Sequence, residues 1–335
     1  MTAPLPAEWA PHRAIWVGWP SHAEYWFEPF EQAQDEVEAL VRALAGPGRE
    51  RVKLMVGAPE LAEGVRARFA DGANVEVVAG VFGDVWLRDT GPLFWAGSKT
   101  AAAFRFNGWG EKYVMPGDET VAEQIGVHSG AALSWNDFVM EGGSLDHDGE
   151  GTVLTTRQCL LNPNRNPAWN QDEAVATAAL EAAIGAKKVL WLGDGLLNDH
   201  TDGHVDNLAR FVAPGVVACP IAWGRNDPNA EVYDAVARDL SVMTDAAGRK
   251  IHVLRIPSPG LVLDEDERPI PASHMNFLIA NGAVIVPTYG DDRAADMACQ
   301  ALKEAFPDRE IIPLPSNAIL TGGGSFHCIS QQEPE

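Results

Sequence analysis

Phe277-Leu278-Ile279-Ala280-Asn281-Gly282-Ala283-Val284-Ile285-Val286-Pro287 reads as two apolar strands joined at Asn281-Gly282. Asn-Gly tolerates the positive φ angles of a two-residue hairpin turn. A helix is expected over 292–305 and an apolar strand over Ile311–Leu314, so the local order is strand, strand, helix, strand. The same rhythm runs back along the chain. Helices are expected at 59–69, 117–126, 171–184, 229–246 and 292–305, with centres about 57 residues apart. Each precedes an apolar strand: Val75–Val78, Phe138–Met140, Val189–Leu192, Ile251–Ile256 and Ile311–Leu314. Thr152–Thr155, Val216–Cys219 and Ala283–Pro287 supply further strands between them. Such a period suggests an α/β protein closed on itself, although ordinary α/β alternation can give similar spacing.

Upstream, Ala14–Trp19 reads as a strand. Val37, Leu40, Val41 and Leu44 form one stripe of a helix over 31–45, which Gly46-Pro47-Gly48 stops. Val52, Leu54 and Val56 alternate as a strand does. Residues up to about Pro11 read as an irregular lead-in. No Ser/Gly run, charge block or low-complexity tract divides the chain, so residues 1–335 are expected to form a single catalytic domain.

Composition narrows the function. The 335 residues carry 25 Lys+Arg against 47 Asp+Glu, a formal charge of −22, with 46% hydrophobic residues. That balance excludes disorder and opposes binding to nucleic acid or anionic membranes. It suits a small cationic ligand, which a negative field draws in. No run of 18 apolar residues exists, and the first residues lack a basic and then apolar signal pattern. The four cysteines, Cys159, Cys219, Cys299 and Cys328, form no C-x-x-C. A cytoplasmic protein with free thiols is expected. P-loop, dinucleotide-binding, nucleophile-elbow and zincin motifs are all missing.

Five segments concentrate reactive groups. They are Trp86–Pro92, Glu141-Gly142-Gly143-Ser144, His200–Asn207, Ser273–Phe277 and Gly322–Cys328. Their spacing is roughly that of the repeats, so a closed fold would bring one to a shared centre from each unit. Asp89, before Thr-Gly-Pro, reads alone as a turn-capping carboxylate. Glu141 ends the apolar run Phe138–Met140, where a carboxylate is costly unless paired. His204 and Asp206 alternate, and on a strand they would point the same way as a tuned acid/base pair, or else form a surface loop pair. Cys328 sits in a glycine-rich turn that permits close backbone approach. Cys219 and Cys299 fit ordinary buried positions.

A thiol with a histidine is a nucleophilic pair. Three carboxylates around it would repel an anion, yet they suit a guanidinium, whose five coplanar N–H donors two carboxylates can grip. The thiolate would then attack the guanidinium carbon. The same carboxylates should raise the Cys328 pKa in the free protein, and a bound cation should lower it.

These motifs resemble the agmatine deiminase family, which is related to bacterial peptidyl-arginine deiminases. Trp86-Leu87-Arg88-Asp89-Thr90-Gly91-Pro92, Glu141–Ser144, Asp202–Asn207 and Gly322–Gln332 carry the likeness, and Leu161–Pro167 and Asn276–Gly282 fit it. The resemblance implies the pentein fold, a five-bladed α/β propeller of ββαβ units. It implies hydrolysis of agmatine to N-carbamoylputrescine and ammonia on a route to putrescine, without metal or other cofactor. By the same resemblance Cys328 is the nucleophile and His204 the acid/base. Asp89 and Asp206 hold the guanidinium, Glu141 assists, and Trp86, Gly323 and His200 line the substrate pocket. His200 stands where the family commonly has an acidic residue, so the substrate's distal end is the open point. Free or peptidyl arginine is the alternative substrate. Family members assemble as dimers or more, so a homo-oligomer is compatible with the resemblance.

Two other readings compete. His200, His204 and Asp206 could ligate a metal, which chelation would expose. A non-catalytic binder of a guanidino or polyamine cation would keep the carboxylates and need no thiol.

Overall fold

The computed structural model describes residues 2–26, 29–72 and 74–335. The chain opens with strand β1 (His12–Trp19), helix α1 (Phe30–Ala45), β2 (Val52–Val56), α2 (Ala62–Arg68) and β3 (Val75–Ala79). The second unit is β4 (Leu93–Phe94), β5 (Thr100–Arg105), α3 (Val121–Ser129) and β6 (Ala132–Val139). The third is β7 (Asp146–His147), β8 (Thr152–Thr156), α4 (Glu173–Ile184) and β9 (Lys188–Leu192). The fourth is β10 (Arg210–Ala213), β11 (Val216–Ile221), α5 (Ala230–Val242) and β12 (His252–Pro257). The fifth is β13 (Leu278–Ile279), β14 (Ala283–Thr288), α6 (Asp292–Ala305) and β15 (Glu310–Pro315), and the chain ends in β16 (Ser330–Pro334).

The described strands make five sheets: β16-β1-β2-β3, β4-β5-β6, β7-β8-β9, β10-β11-β12 and β13-β14-β15. In the last four, an antiparallel pair is followed by a parallel one across a helical crossover, which is the ββαβ unit. The first sheet obeys the same rule only because β16 pairs antiparallel with β1 (Val17↔Ser330, Ile15↔Gln332), so the two ends of the chain close the ring.

Apolar clusters fill the seams between neighbouring sheets. Trp16, Met55 and Val78 meet Phe94, Ala101 and Ile125 between the first and second sheets. Leu154, Leu190 and Leu192 meet Phe211, Val217 and Leu240 between the third and fourth, and Ile15, Val17 and Leu54 meet Leu278 and Ile285 where the fifth meets the first. Burial of such side chains contributes about 1.5–3 kcal/mol each. The helices lie outside. Asp291 caps α6 by accepting a hydrogen bond from the Ala294 N–H, and α6 packs on β12 and β15. No helix among the described residues is long and apolar enough to cross a membrane.

Several expectations shift. The Asn281-Gly282 hairpin forms, pairing Leu278↔Ile285 and Ile279↔Val284, but neither turn residue takes a positive φ; the glycine is needed because a Cβ there would lie 2.4 Å from the Pro47 carbonyl oxygen. The helix expected at 59–69 is a 3-10 turn followed by the short α2, and it is not the repeat helix of its unit. The crossover between β1 and β2 is α1, and α2 with β3 is an addition to the first sheet. The strand expected at Phe138–Met140 runs over Ala132–Val139, where exposed and half-buried positions mix and the apolar signal is weak. The helix over 229–246 stops at Val242, because Thr244 bridges to Lys250. The helix over 117–126 is displaced to 121–129, ending where Gly130 takes a positive φ.

Candidate active site

The innermost strands β4, β7, β10, β13 and β16 are each preceded by a polar turn: Leu87–Thr90, Gly142–Ser144, Val205–Asn207, His274–Asn276 and Gly322–Cys328. These are the five reactive segments of the sequence. The ring therefore delivers one from each blade to its centre.

Cys328, Trp86, Asp89, His200 and Gly323 line a cavity of about 360 Å³, together with Glu24, Asp84, Trp109 and others. His204, Asp206 and Glu141 adjoin it, with no exposed surface. One point fixes their mutual placement. A Cβ added to Gly143 would lie 2.7 Å from His204 Nδ1, 2.8 Å from Asp89 Oδ1 and 3.0 Å from Asp206 Oδ2. Only a glycine lets three functional groups converge on backbone there. The Gly143 N–H also donates to Asp89 Oδ1 at 2.9 Å. A second glycine, Gly324, lets the Trp86 ring lie against the turn that carries the thiol, since a Cβ there would come within 2.5 Å of that ring.

His204 Nδ1 is 3.8 Å from Asp89 Oδ1, and Nε2 is 3.9 Å from Glu141 Oε2. These are ion-pair distances, too long for hydrogen bonds, and neither ring nitrogen has a hydrogen-bond partner. Burial opposes a charge on the ring, but Asp89, Cys159 and Glu141 outweigh it and hold the His204 pKa well above its ordinary value. Burial pushes Asp89 up to about 6, with Asp206 and Glu141 adding to the effect and His204 opposing it. Glu141 lies below its usual range despite burial, because His204 and Arg165 favour its charged form. The carboxylates around the ring thus favour its protonated form.

The Cys328 thiol sits 3.5 Å from Asp206 Oδ2 and accepts from Asn276 Nδ2 at 3.1 Å. Burial, then Asp206 and Asp89, raise its pKa well above the ordinary thiol value, and Asn276 lowers it only in part. This is the direction expected from the sequence.

His204 and Asp206 do share a target, but not as alternating strand residues. His204 precedes a 3-10 turn over Val205–Asn207. Asp89 does not cap its own turn. Its oxygens accept from Gly143 and from Trp109 Nε1, the latter at 2.9 Å. The metal reading finds no support in His200, His204 and Asp206. The ligand-competent group among the described residues is Glu141, Cys159 and His204 instead, and Arg165 Nε already holds Glu141 Oε1 at 2.7 Å.

Sequence reasoning gave no role to Asn276, Arg165, Trp109 or Gly143. Asn276 and Arg165 lie in quoted segments, Ser273–Phe277 and Leu161–Pro167, so a signal existed. Trp109 had only its flanking glycines, and it takes a positive φ of 55° between them. Cys159, unassigned from sequence, is fully buried beside His204 and Glu141.

The family model of Porphyromonas-type peptidyl-arginine deiminases matches residues 4–334. The agmatine deiminase of Pseudomonas aeruginosa (strain LESB58) is 38% identical over 98% of this chain and 95% of its own. A solved structure described as the agmatine deiminase of Enterococcus faecalis catalysing its reaction superposes with a TM-score of 0.91, at 31% identity, over 99% of this chain and 96% of its own. The C. jejuni agmatine deiminase with substrate bound gives a TM-score of 0.89 at 28% identity, over 100% of this chain and 97% of its own.

Proposed function

The chain belongs to the agmatine deiminase family, the Porphyromonas-type peptidyl-arginine deiminases of the pentein fold, and from that premise we infer that it hydrolyses agmatine to N-carbamoylputrescine and ammonia, a step toward putrescine. The observation that carries the reading is the cavity itself. A thiol and carboxylates meet at its base, and no Lys or Arg is among its described lining residues. A guanidinium finds partners there. An α-carboxylate such as free arginine carries would meet no Lys or Arg among those residues and would face Glu24, Asp84 and Asp89, which favours agmatine over arginine. Trp26 and Trp86, with ring centroids 6.3 Å apart, offer an apolar wall to a tetramethylene chain.

In this reading Asp89 and Asp206 accept guanidinium N–H groups and turn the central carbon toward Cys328. The bound cation offsets their charge, so the thiol releases its proton to solvent through the cavity. The thiolate forms an S–C bond to the guanidinium carbon. His204, already protonated, gives its proton to the departing nitrogen, the C–N bond breaks, and ammonia leaves. The amidino group stays on sulfur. Neutral His204 then takes a proton from water, whose oxygen attacks the same carbon. The C–S bond breaks, the hydroxyl proton passes to the sulfur, and N-carbamoylputrescine leaves with Cys328 again a thiol. Glu141, fixed by Arg165, stabilises the imidazolium in both halves.

We read residues 1–335 as one catalytic domain, because all five blades contribute to this centre. We place it in the cytoplasm, where its four unpaired thiols would persist. The test is ammonia release from agmatine, arginine, an arginyl peptide and a methylated guanidine, with wild type and Cys328→Ala, each with and without chelator. Turnover of agmatine that survives chelation and vanishes in the variant is expected. Activity lost to chelator, or kept by Cys328→Ala, refutes the thiol mechanism.

A further inference from the structure

His327 precedes the thiol and takes part in none of the steps above. Its Nδ1 lies 2.8 Å from Asp206 Oδ2, and its Nε2 lies 3.1 Å from Glu8 Oε2. Both contacts are buried. Ionised carboxylates can only accept, so the two contacts together call for a doubly protonated ring, Nδ1–H donating to Asp206 and Nε2–H to Glu8; burial, Arg210 and Arg88 lower the His327 pKa, while Glu8 and the Asp206 bond oppose them. Glu8 belongs to the lead-in segment before β1, yet it reaches the centre of the ring. Its Oε1 accepts from the Ile279 N–H at 2.8 Å, and its Oε2 also meets Arg210. Arg210 is held in turn by Asp146 through Nε at 2.5 Å, and by the carbonyls of Met275 and Phe277. The backbone N–H of His327 donates to Asn276 Oδ1 at 3.0 Å. The imidazole is therefore fixed from both sides by groups that are themselves fixed.

The two oxygens of Asp206 differ. Oδ2 is engaged by His327, with Asn276 Nδ2 at 3.4 Å and the thiol at 3.5 Å. Oδ1 is buried with no partner. A buried carboxylate oxygen without a donor is costly unless a ligand supplies one. We propose that His327, anchored by Glu8, is the positioning residue of the site: its Nδ1–H fixes the rotation of the Asp206 carboxylate and leaves Oδ1 for a guanidinium N–H. This rests on the reading of Asp206 as a guanidinium ligand. The electrostatics agree. Burial raises the Asp206 pKa, but the bond and charge of His327, with His204 and Arg210, bring it below its ordinary value. Arg88, Asp89 and Cys328 are the other charged or titratable groups coupled to Asp206.

Two substitutions separate the two faces of the ring. His327→Asn places an amide N–H near the Nδ1 position and gives up the Glu8 contact. His327→Gln reaches the Nε2 position and gives up the Asp206 bond. Both are polar and leave Arg210 on Glu8. Steady-state kinetics with agmatine across pH, with thermal midpoints, would be measured for both and for Asp206→Asn. We expect His327→Asn to stay within about tenfold of wild type, and His327→Gln to lose about 10²-fold in kcat/KM, the usual cost of misplacing a reacting group. In His327→Gln the acid limb of kcat/KM should also move to higher pH and steepen, because Asp206 has lost the donor that favoured its ionised form. Equal losses in the two variants with an unmoved acid limb, or no loss in His327→Gln, would overturn the proposal. Full activity of Asp206→Asn would overturn both this inference and the role of Asp206 on which it rests. Inactive Asp206→Asn beside active His327→Gln would overturn the inference alone.

Discussion

Gly143→Ala tests the convergence at the centre of the ring. The added methyl would stand 2.7 Å from His204 Nδ1, 2.8 Å from Asp89 Oδ1 and 3.0 Å from Asp206 Oδ2, where ordinary contact begins at 3.4 Å. The imidazole must then retreat by 3.4 − 2.7 = 0.7 Å, and the carboxylates by 0.6 and 0.4 Å. All three contacts are with side-chain ends beside a cavity, and Gly143 does not require a positive φ, so the fold can absorb the change. Overpacking of this kind costs about 1–3 kcal/mol of stability. Displacing reacting groups by most of an ångström costs about 10²-fold in rate, or about 2.7 kcal/mol of barrier. Gly142→Ala is the contrast. Its methyl would lie 2.2 Å from the Arg88 carbonyl oxygen, a backbone atom that cannot swing aside. Ammonia-release kinetics and urea unfolding on both variants should show Gly143→Ala folded and slow, and Gly142→Ala unstable. A Gly143→Ala enzyme within about threefold of wild type would refute the claim that His204, Asp89 and Asp206 act from these positions.

The site makes further commitments. Iodoacetamide should label Cys328 slowly at neutral pH, because burial, Asp206 and Asp89 disfavour its thiolate; a non-reacting guanidinium should shift its thiolate absorbance to lower pH, and an unmoved titration would sink the cation-activation step. Asp89, pushed up to about 6, must be ionised to accept a guanidinium, so kcat/KM should fall as pH drops below about 6. Bound cation stabilises the carboxylate, so the corresponding limb of kcat should lie lower, and coincident limbs would argue against contact with Asp89. Arg165→Met leaves buried Glu141 without its guanidinium partner and should cost about 3–5 kcal/mol in urea unfolding at neutral pH. Glu141 has a depressed native pKa, so the stability that its partner confers exists above the unfolded value of 4.5 and is lost as pH falls through the native value. The gap between variant and wild type should narrow in acid, and a pH-independent gap would assign the loss to packing.

The ring was legible where its signals were local. The Asn281-Gly282 hairpin and the helices over 171–184 and 292–305 follow from turn propensity and apolar spacing within a dozen residues. The strand that closes it was not. Ser330-Gln331-Gln332-Glu333-Pro334 carries no apolar pattern, yet β16 is buried along its whole length. Its polar groups are satisfied from afar. Glu333 accepts from Trp16 Nε1 and Lys53 Nζ and pairs with Arg13, and Gln332 accepts from Arg88. Without that strand the first unit has no visible inner edge in the sequence, and the helix spacing points to α2 in place of α1. The site shows the same division. Cys328, His204, Asp206, Asp89 and Glu141 declare themselves by residue type and by their place in polar turns. Asn276 does not, because an amide between a thiol and a carboxylate is recognisable only once folding brings it 52 positions along the chain to Cys328.

The raised thiol pKa looks at first like a flaw in a nucleophile. Taken with the cavity, it is the source of selectivity. Asp206 and Asp89 disfavour the thiolate for the same reason that they favour a guanidinium: both are negative, buried and coupled to the sulfur through little intervening solvent. A neutral urea or an anionic amino acid that entered the cavity would leave those charges uncompensated and the thiol protonated. A planar cation removes the penalty and presents its carbon in the same event. Activation and recognition are then one electrostatic balance, and it depends on both carboxylates remaining ionised in a buried place. His204 and the Trp109 indole favour the charged form of Asp89, and His327 with Arg210 does the same for Asp206. In the proposed reading, each carboxylate that grips the substrate also takes a donor from another blade, the Gly143 N–H for Asp89 and His327 for Asp206. That division of labour explains why the chemistry sits on the axis of the ring, where donors from different blades can meet a single ligand.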